Sequence, residues 1–206
     1  MKHVRRQLAD GLLALNVAAT EKQMEQLLHF LFLLEKWNRV YNLTSVSAPE
    51  QAVGLHLLDS LAVSPHLSGS RILDVGTGAG LPGIPLAIFH DAFEFTLLDS
   101  NAKKTRFVQQ AILELGLTHV EVATCRVDDY SASTPFDTIL TRAWASLAII
   151  WQETGRLLAS GGRVLALKGQ HPVAELAALR DCRHDTYRLH VPGLDAERHL
   201  IQIMKD

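Results

Sequence analysis

The stretch from Arg71 to Gly83 constrains this chain more than any other. It reads Arg71-Ile72-Leu73-Asp74-Val75, then Gly76-Thr77-Gly78-Ala79-Gly80, then Leu81-Pro82-Gly83. An apolar run of this length predicts a buried strand. Three glycines at alternate positions let the backbone turn sharply and approach a ligand without a Cβ in the way. Pro82 can open the next helix, whose positive end then faces the loop. Strand, glycine loop and helix in this order predict a cofactor pocket at the carboxyl edge of an α/β sheet.

Two cofactors compete for the loop. Gly78-Ala79-Gly80-Leu81-Pro82-Gly83 satisfies the GxGxxG pattern of dinucleotide sites, a weak signal alone. In that register the first glycine lies three residues beyond Val75, too far for the tight turn that should follow the strand directly. Asp74, two residues before Gly76, instead matches the first motif of S-adenosylmethionine (SAM) methyltransferases. Asp74, Gly76, Gly78 and Gly80 are therefore read as cofactor-binding.

The rest of the chain is consistent with one such domain and an appendage. Residues 4–15 and 20–38 predict helices, with Thr20 as N-cap, and Pro49 opens a shorter one. Ser64–Ser70 is a turn-rich boundary. This divides the chain into a helical extension, 1–68, and a catalytic domain, 69–206. Strands are predicted at 71–75, 94–99, 119–124, 136–141 and 162–168, with helices at about 82–90, 101–116, 145–159 and 172–181 between them. Alternation of this kind builds a parallel sheet covered on both faces. Residues 186–190 and 198–204, joined through Pro192-Gly193, are too close for a parallel crossover and predict an antiparallel pair. Seven strands ending in an antiparallel hairpin is the Rossmann-like layout of class I SAM methyltransferases.

Composition excludes some functions. Of the 206 residues, 20 are Lys or Arg and 22 are Asp or Glu, a net charge of −2, so a nucleic-acid substrate would have to meet a local patch. No apolar run reaches the ~18–20 residues of a membrane span. Two cysteines without a CxxC pair fit a reducing cytoplasm, and the ten histidines show no metal-binding spacing, so no metal is expected. Nothing demands more than a monomer.

The strand ends nominate the other site residues. Asp99, 23 positions after Gly76, can accept hydrogen bonds from a ribose diol, or cap the next helix. Val127 and Asp128, after the third strand, are placed for an adenine ring and its amine; a solvated turn is the bland alternative. Arg142 ends the fourth strand, where base-modifying methyltransferases usually carry a proton-handling motif. Neither Asn/Asp-Pro-Pro-aromatic nor Pro-Cys is present. An arginine stays protonated and cannot be a general base, so Arg142 would orient and neutralise, which suits a target atom with a free lone pair such as guanine N7. It could instead pair with Asp137 or Asp128. Lys103, Lys104 and Arg106 open the helix after Asp99, and Lys168 ends the fifth strand. These four are candidate RNA contacts, with a solvated face as the alternative. Trp37, Arg39 and Tyr41 could stack on bases or pack onto the catalytic domain.

Together, several segments resemble the RsmG family, formerly glucose-inhibited division protein B. They are Lys36-Trp37-Asn38, Tyr41-Asn42-Leu43-Thr44, the Leu58-Asp59-Ser60 run with His56, Asp74 through Leu86, Leu98-Asp99-Ser100, Arg142-Ala143, Leu167-Lys168-Gly169 and Arg198-His199-Leu200. The match runs from about residue 24 to the C-terminus. The resemblance implies a SAM-dependent enzyme that methylates N7 of guanine 527 in 16S rRNA, as naked RNA or within a small-subunit particle. It also implies that Gly76, Leu81, Val127, Asp128 and Arg142 line the SAM site. Cys125-Arg126-Val127-Asp128 stands where Ser-Arg-Val-Glu is more usual, and Trp144 stands for phenylalanine. The competing functions are a SAM-fold rRNA or ribosome binder without catalysis and an NAD(P)-dependent oxidoreductase.

Overall fold

The computed structural model describes residues 2–46 and 48–205. The first helix, α1 (Lys2–Ala14), buries Val4, Leu8 and Leu12, one side chain per turn along a single face. In α2 (Glu21–Tyr41), Thr20 and Gln23 form a reciprocal capping box at the start, and Asn42 ends the helix in the left-handed conformation. A bent helical segment follows: α3 (Pro49–Ala52), a π turn (Val53–Leu58) and α4 (Asp59–Leu61).

Strand and helix then alternate as expected through β1 (Arg71–Val75), α5 (Gly83–Phe89), β2 (Glu94–Leu98), α6 (Ala102–Leu115), β3 (Val120–Ala123), β4 (Phe136–Arg142), α7 (Leu147–Thr154), β5 (Leu158–Lys168), α8 (Val173–Ala177), β6 (Arg183–Leu189) and β7 (Arg198–Met204). The sheet order is β3-β2-β1-β4-β5-β7-β6. The strands β1 to β5 run parallel, while β7 is antiparallel to both β5 and β6. The last strand thus inserts inside the sheet and leaves β6 at the edge. Burial explains the choice: five of the seven β7 residues are buried, whereas β6 is exposed apart from the half-buried Leu189.

Several boundaries differ from the sequence reading. Helix α7 stops at Thr154, and a short 3-10 turn leads into β5 at Leu158. The β4–β5 register shifts between Phe136 and Thr138, which absorbs Ser160-Gly161-Gly162 as an irregularity rather than a loop. Helix α8 covers only Val173–Ala177 of the predicted 172–181.

Side chains alternate between two cores, as the twofold pleat requires. Ile72, Phe95, Leu97, Leu140, Leu165 and Leu200 face α5, α6 and the N-terminal helices. Leu73, Val75, Leu98, Ile139, Val164 and Ile201 face α7. The extension therefore shares the first core. Phe30 and Trp37 of α2 contact Phe107 of α6 at ring-centroid distances of 6.2 and 5.6 Å. Gln23 and Gln26 donate to the carbonyls of Ile88 and Leu115, which lie in the last turns of α5 and α6. Phe30 is fully buried. Its replacement by alanine is expected to remove about 3–5 kcal/mol of stability and to preserve a single unfolding transition in urea, because both units share one core. Two separated transitions in the wild type would contradict that continuity.

Candidate functional site

The glycine loop follows β1 directly, and a buried carboxylate holds it from beneath. Asp74 is completely buried. Its Oδ2 accepts from Thr77 Oγ1 at 2.7 Å and from the Gly83 N–H at 2.9 Å. Gly83 is the first residue of α5, so Asp74 is the anion at that helix terminus. A Cβ on Gly83 would lie 2.2 Å from Leu97 and 2.8 Å from Asp74 Oδ2, so only glycine permits this approach. Burial pushes the Asp74 carboxyl up to about 6, with the Thr77 and Gly83 hydrogen bonds and Arg142 acting in the opposite sense. Its Oδ1 is buried without a partner among the described residues. Asp74 therefore shapes the loop and is screened from any ligand, which corrects its assignment as a direct cofactor contact.

The loop amides are committed internally. Gly76 and Thr77 N–H donate to the Leu98 carbonyl, Gly78 to Asp99 Oδ2, and Gly80 and Leu81 to the Thr77 carbonyl. With Gly83 on Asp74 and Ile84 on the Gly80 carbonyl, the loop lacks the row of free N–H groups with which dinucleotide sites cradle a pyrophosphate. This arrangement disfavours a phosphate-bearing cofactor.

Two hollows meet at Gly76. The first is lined by Val75, Leu98, Asp99, Cys125, Arg126, Val127, Trp144 and Glu153. Its apolar walls and the Asp99 carboxylate suit a nucleoside. Asp99 is nearly buried. Its Oδ1 accepts from the Asn101 N–H at 2.8 Å and its Oδ2 from Gly78 at 2.9 Å, which fixes the carboxylate plane and leaves further lone pairs on each oxygen. Asn101, not Asp99, caps α6. Gly76 has a φ of +69°, and a Cβ there would lie 2.9 Å from Trp144. Gly78 and Gly80 share the positive φ, but Gly80 faces Ile84 and shapes the loop from outside the hollow. Val127 is buried in the wall, whereas Asp128 is exposed beside it and absent from the lining. Glu153, from α7, is a further carboxylate that lines the hollow, and sequence reading missed it. Cys125 is half-buried and lines the same hollow.

The second hollow is a cleft between the loop and the N-terminal extension. Leu43, Thr44, Leu55, His56 and Asp59 line it on one side, and Gly78, Leu81, Arg142, Lys168 and Arg198 on the other. Arg142 Nη1 donates to the Leu55 carbonyl at 2.9 Å and to Asp59 Oδ2 at 3.2 Å, while Arg198 Nε donates to Asp59 Oδ1 at 2.9 Å. The buried partner of Arg142 is thus Asp59, in place of Asp137 or Asp128. Asp137 instead accepts from the backbone of Ser70 and Arg71. An aspartate on an apolar helical face, 3% exposed, was the available clue, since a buried carboxylate requires cationic or hydrogen-bonding partners. His56 Nε2 lies 3.0 Å from Thr44 Oγ1. Burial and the nearby Arg142 charge bring its imidazole down to about 4, so it is neutral at pH 7.

The candidate RNA contacts separate. Lys104 lines the cleft, and Lys103 and Arg106 are exposed on α6. Lys168 also lines the cleft, but its Nζ donates to the Ala145 carbonyl at 3.0 Å and to Glu175 at 2.8 Å. Glu175 in turn accepts from the Leu147 N–H at the start of α7. The Lys168 ammonium is therefore engaged in joining β5, α7 and α8, in contrast to its reading as a candidate RNA contact. Trp37 packs against Tyr41 and against Phe107 of α6, so of its two readings it takes the packing onto the catalytic domain.

A family model described as "GidB: rRNA small subunit methyltransferase G" matches residues 23–201. The chain belongs to this family. It is 52% identical over 197 residues to the ribosomal RNA small subunit methyltransferase G of Methylococcus capsulatus, covering 95% of this chain and 96% of that one. It is 47% identical to the protein of the same name from Laribacter hongkongensis, covering 98% of each. Among solved structures, the fold is similar to the O-methyltransferase TomG from Streptomyces achromogenes in complex with SAM, with a TM-score of 0.57, 17% identity and 91% of each chain covered. It is also similar to the N-methyltransferase NodS from Bradyrhizobium japonicum with S-adenosyl-L-homocysteine, with a TM-score of 0.57, 13% identity and 84% and 98% covered. These last likenesses establish the class I methyltransferase fold. Among the described residues no histidine, cysteine and carboxylate cluster could hold a metal ion, and no helix is long and apolar enough to cross a membrane.

Two outcomes test the site. Gly76→Ala places a β-carbon against Trp144 at a left-handed backbone, and calorimetry is expected to record at least a tenfold weaker affinity for SAM. Affinity equal to wild type would remove Gly76 from the binding surface. For Asp74, a folded pKa raised to about 6 from 3.8 means the folded state holds the proton more tightly. Its contribution is full below pH 3.8 and is lost as pH rises through 6. Relative to Asp74→Asn, wild-type stability is expected to fall by about 3 kcal/mol across that window, measured by urea denaturation at successive pH values.

Proposed function

We propose that this chain transfers a methyl group from SAM to N7 of guanine 527 in 16S rRNA, as implied by its kinship with the small-subunit rRNA methyltransferase G proteins. It is a SAM-dependent rRNA methyltransferase. The observation that carries the cofactor half of this reading is the committed glycine loop. Its N–H groups bind Leu98, Thr77, Asp74 and Asp99 within the fold, and an internal carboxylate already occupies the helix terminus. Such a loop accepts a cofactor without a phosphate and surrounds it with acidic groups, which suits the positive sulfonium. SAM supplies an electrophilic methyl group. Gly76, Asp99 and Val127 would hold its nucleoside, and Gly78, Leu81 and Arg142 border the cleft where its amino-acid portion reaches the acceptor.

The acceptor half rests on what the cleft contains. Guanine N7 carries its lone pair in the plane of the ring and loses no proton before attack. The cleft matches that requirement. Arg142 is permanently charged, Asp59 is held between two guanidiniums, and the neutral imidazole of His56 is a weak base. These groups orient and desolvate; none is poised to remove a proton at pH 7. Catalysis then consists of in-line positioning in a site closed to water on one side by residues 43–46. The rRNA is the substrate whether presented naked or in a particle, and a monomer contains every residue of the site.

Methylation of 16S rRNA from a strain lacking the modification, with the modified nucleotide mapped, tests the reading directly. Arg142→Ala is expected to lower turnover by about 100-fold, the scale of a misplaced reacting group. Arg142→Lys should recover little, because a single ammonium lacks the planar fork that meets both Leu55 and Asp59. Wild-type turnover in Arg142→Ala would leave the arginine a purely structural role.

A further inference from the structure

A third hollow lies beyond the wall of the cleft. Leu28, Leu31, Phe32, Glu35, Asn38, Arg39 and Asn42 line it from α2. These residues recur every three or four positions, so they form one continuous helix face. Thr44 and Val46 close it opposite, and both also line the cleft that holds Arg142. The segment carrying them is the common wall, and a single backbone segment is only about 5 Å across. The hollow has a volume of about 310 Å³, at the lower end of organic-ligand sites.

Its chemistry is specific. Phe32, unlike the other large apolar residues of the α2 face, is half exposed, at 50%. Around it stand two amides, Asn38 and Asn42, together with the Glu35–Arg39 ion pair. Asn38 Oδ1 accepts from the Thr44 N–H at 2.8 Å, which ties the floor of this hollow to the shared wall and turns the amide nitrogen of Asn38 to other use. Thr44 is fixed on its far side by His56. An aromatic face flanked by amides, a carboxylate and a guanidinium matches an unstacked nucleobase: the ring stacks, the amides and carboxylate meet the base edge, and the arginine meets the phosphate.

We propose that this hollow holds a second nucleobase of the substrate RNA, next to the methylated guanine, stacked on Phe32. The inference rests on the rRNA methyltransferase reading. It makes the N-terminal extension a grip on the substrate strand, with residues 43–46 as the divider between the reacting base and its neighbour. Sequence reading placed possible base stacking on Trp37 and Tyr41, but Trp37 is packed against Phe107. Phe32, five residues earlier and beside His29 at a ring-centroid distance of 6.2 Å, lines the hollow, whereas the exposed Tyr41 does not.

The test uses the full-length protein and a synthetic fragment of small-subunit rRNA with 2-aminopurine beside the target guanine. Wild-type protein is expected to quench the probe on binding. Phe32→Ala should abolish the quench and raise KM for RNA about tenfold, the loss of one base stack, with kcat and SAM affinity unchanged. Phe32→Trp should restore both. Phe32→Leu, which keeps apolar area but no ring, should behave as alanine does. Full rescue by leucine would show that the hollow takes an apolar group rather than a base and would overturn the proposal. So would an unaltered KM in Phe32→Ala. Quenching by a wild-type protein that methylates no rRNA would instead sink the methyltransferase reading, whereas methylation without quenching sinks this inference alone.

Discussion

The buried carboxylate of Asp74 is the constraint on which the rest of the site depends. One oxygen receives both the Thr77 hydroxyl and the first N–H of α5, so the loop is closed over an anion that belongs to the protein. Two consequences follow from that contact. The loop lies flat enough for Gly76 to rest on Trp144, and the helix terminus is satisfied before any ligand arrives. A dinucleotide fold leaves that terminus for a pyrophosphate. Here the corresponding position is already negative, and the favoured partner is a cation.

The second organising interaction joins the two ends of the chain. Asp59 of the extension accepts from Arg142 at the end of β4 and from Arg198 at the start of β7. One buried carboxylate between two guanidiniums satisfies all three groups and brings the helical extension against the active edge of the sheet. The cleft exists because of this meeting. Without the extension, the carboxyl edge would be an open surface, and Arg142 would face water instead of a partly closed site. The proposed base hollow continues the same logic outward along α2.

Much of the site was legible in the chain because it is local. Gly76, Gly78 and Asp99 follow from the strand-end rule and the need for a close backbone approach, and the structure places Gly76 and Asp99 around one hollow and Gly78 on the adjoining cleft, bonded to Asp99. Val127 was found in the same way. Asp74 was found but misread: an acid adjacent to a glycine loop suggests a ligand contact, whereas its burial makes it an internal cap. Lys168 failed for a related reason. Its position on the active edge was right, but Glu175, seven residues later, already binds its ammonium. Asp128 failed by direction, since a one-residue step around the 3-10 turn turns Val127 inward and Asp128 out.

The sequence by itself determined the alternation of strands and helices, the turn at Gly76 and the absence of a proton-removing motif at the end of β4. Each depends on residues within a few positions of one another, where periodicity and backbone freedom leave little choice. The tertiary structure decided the rest: that β7 inserts between β5 and β6, that Arg142 pairs with Asp59 across 83 positions, and that Glu153 and Trp144 complete the hollow around Gly76 and Asp99. Those contacts are set by which buried charges and apolar faces can be satisfied at the same time, and no local pattern carries that information.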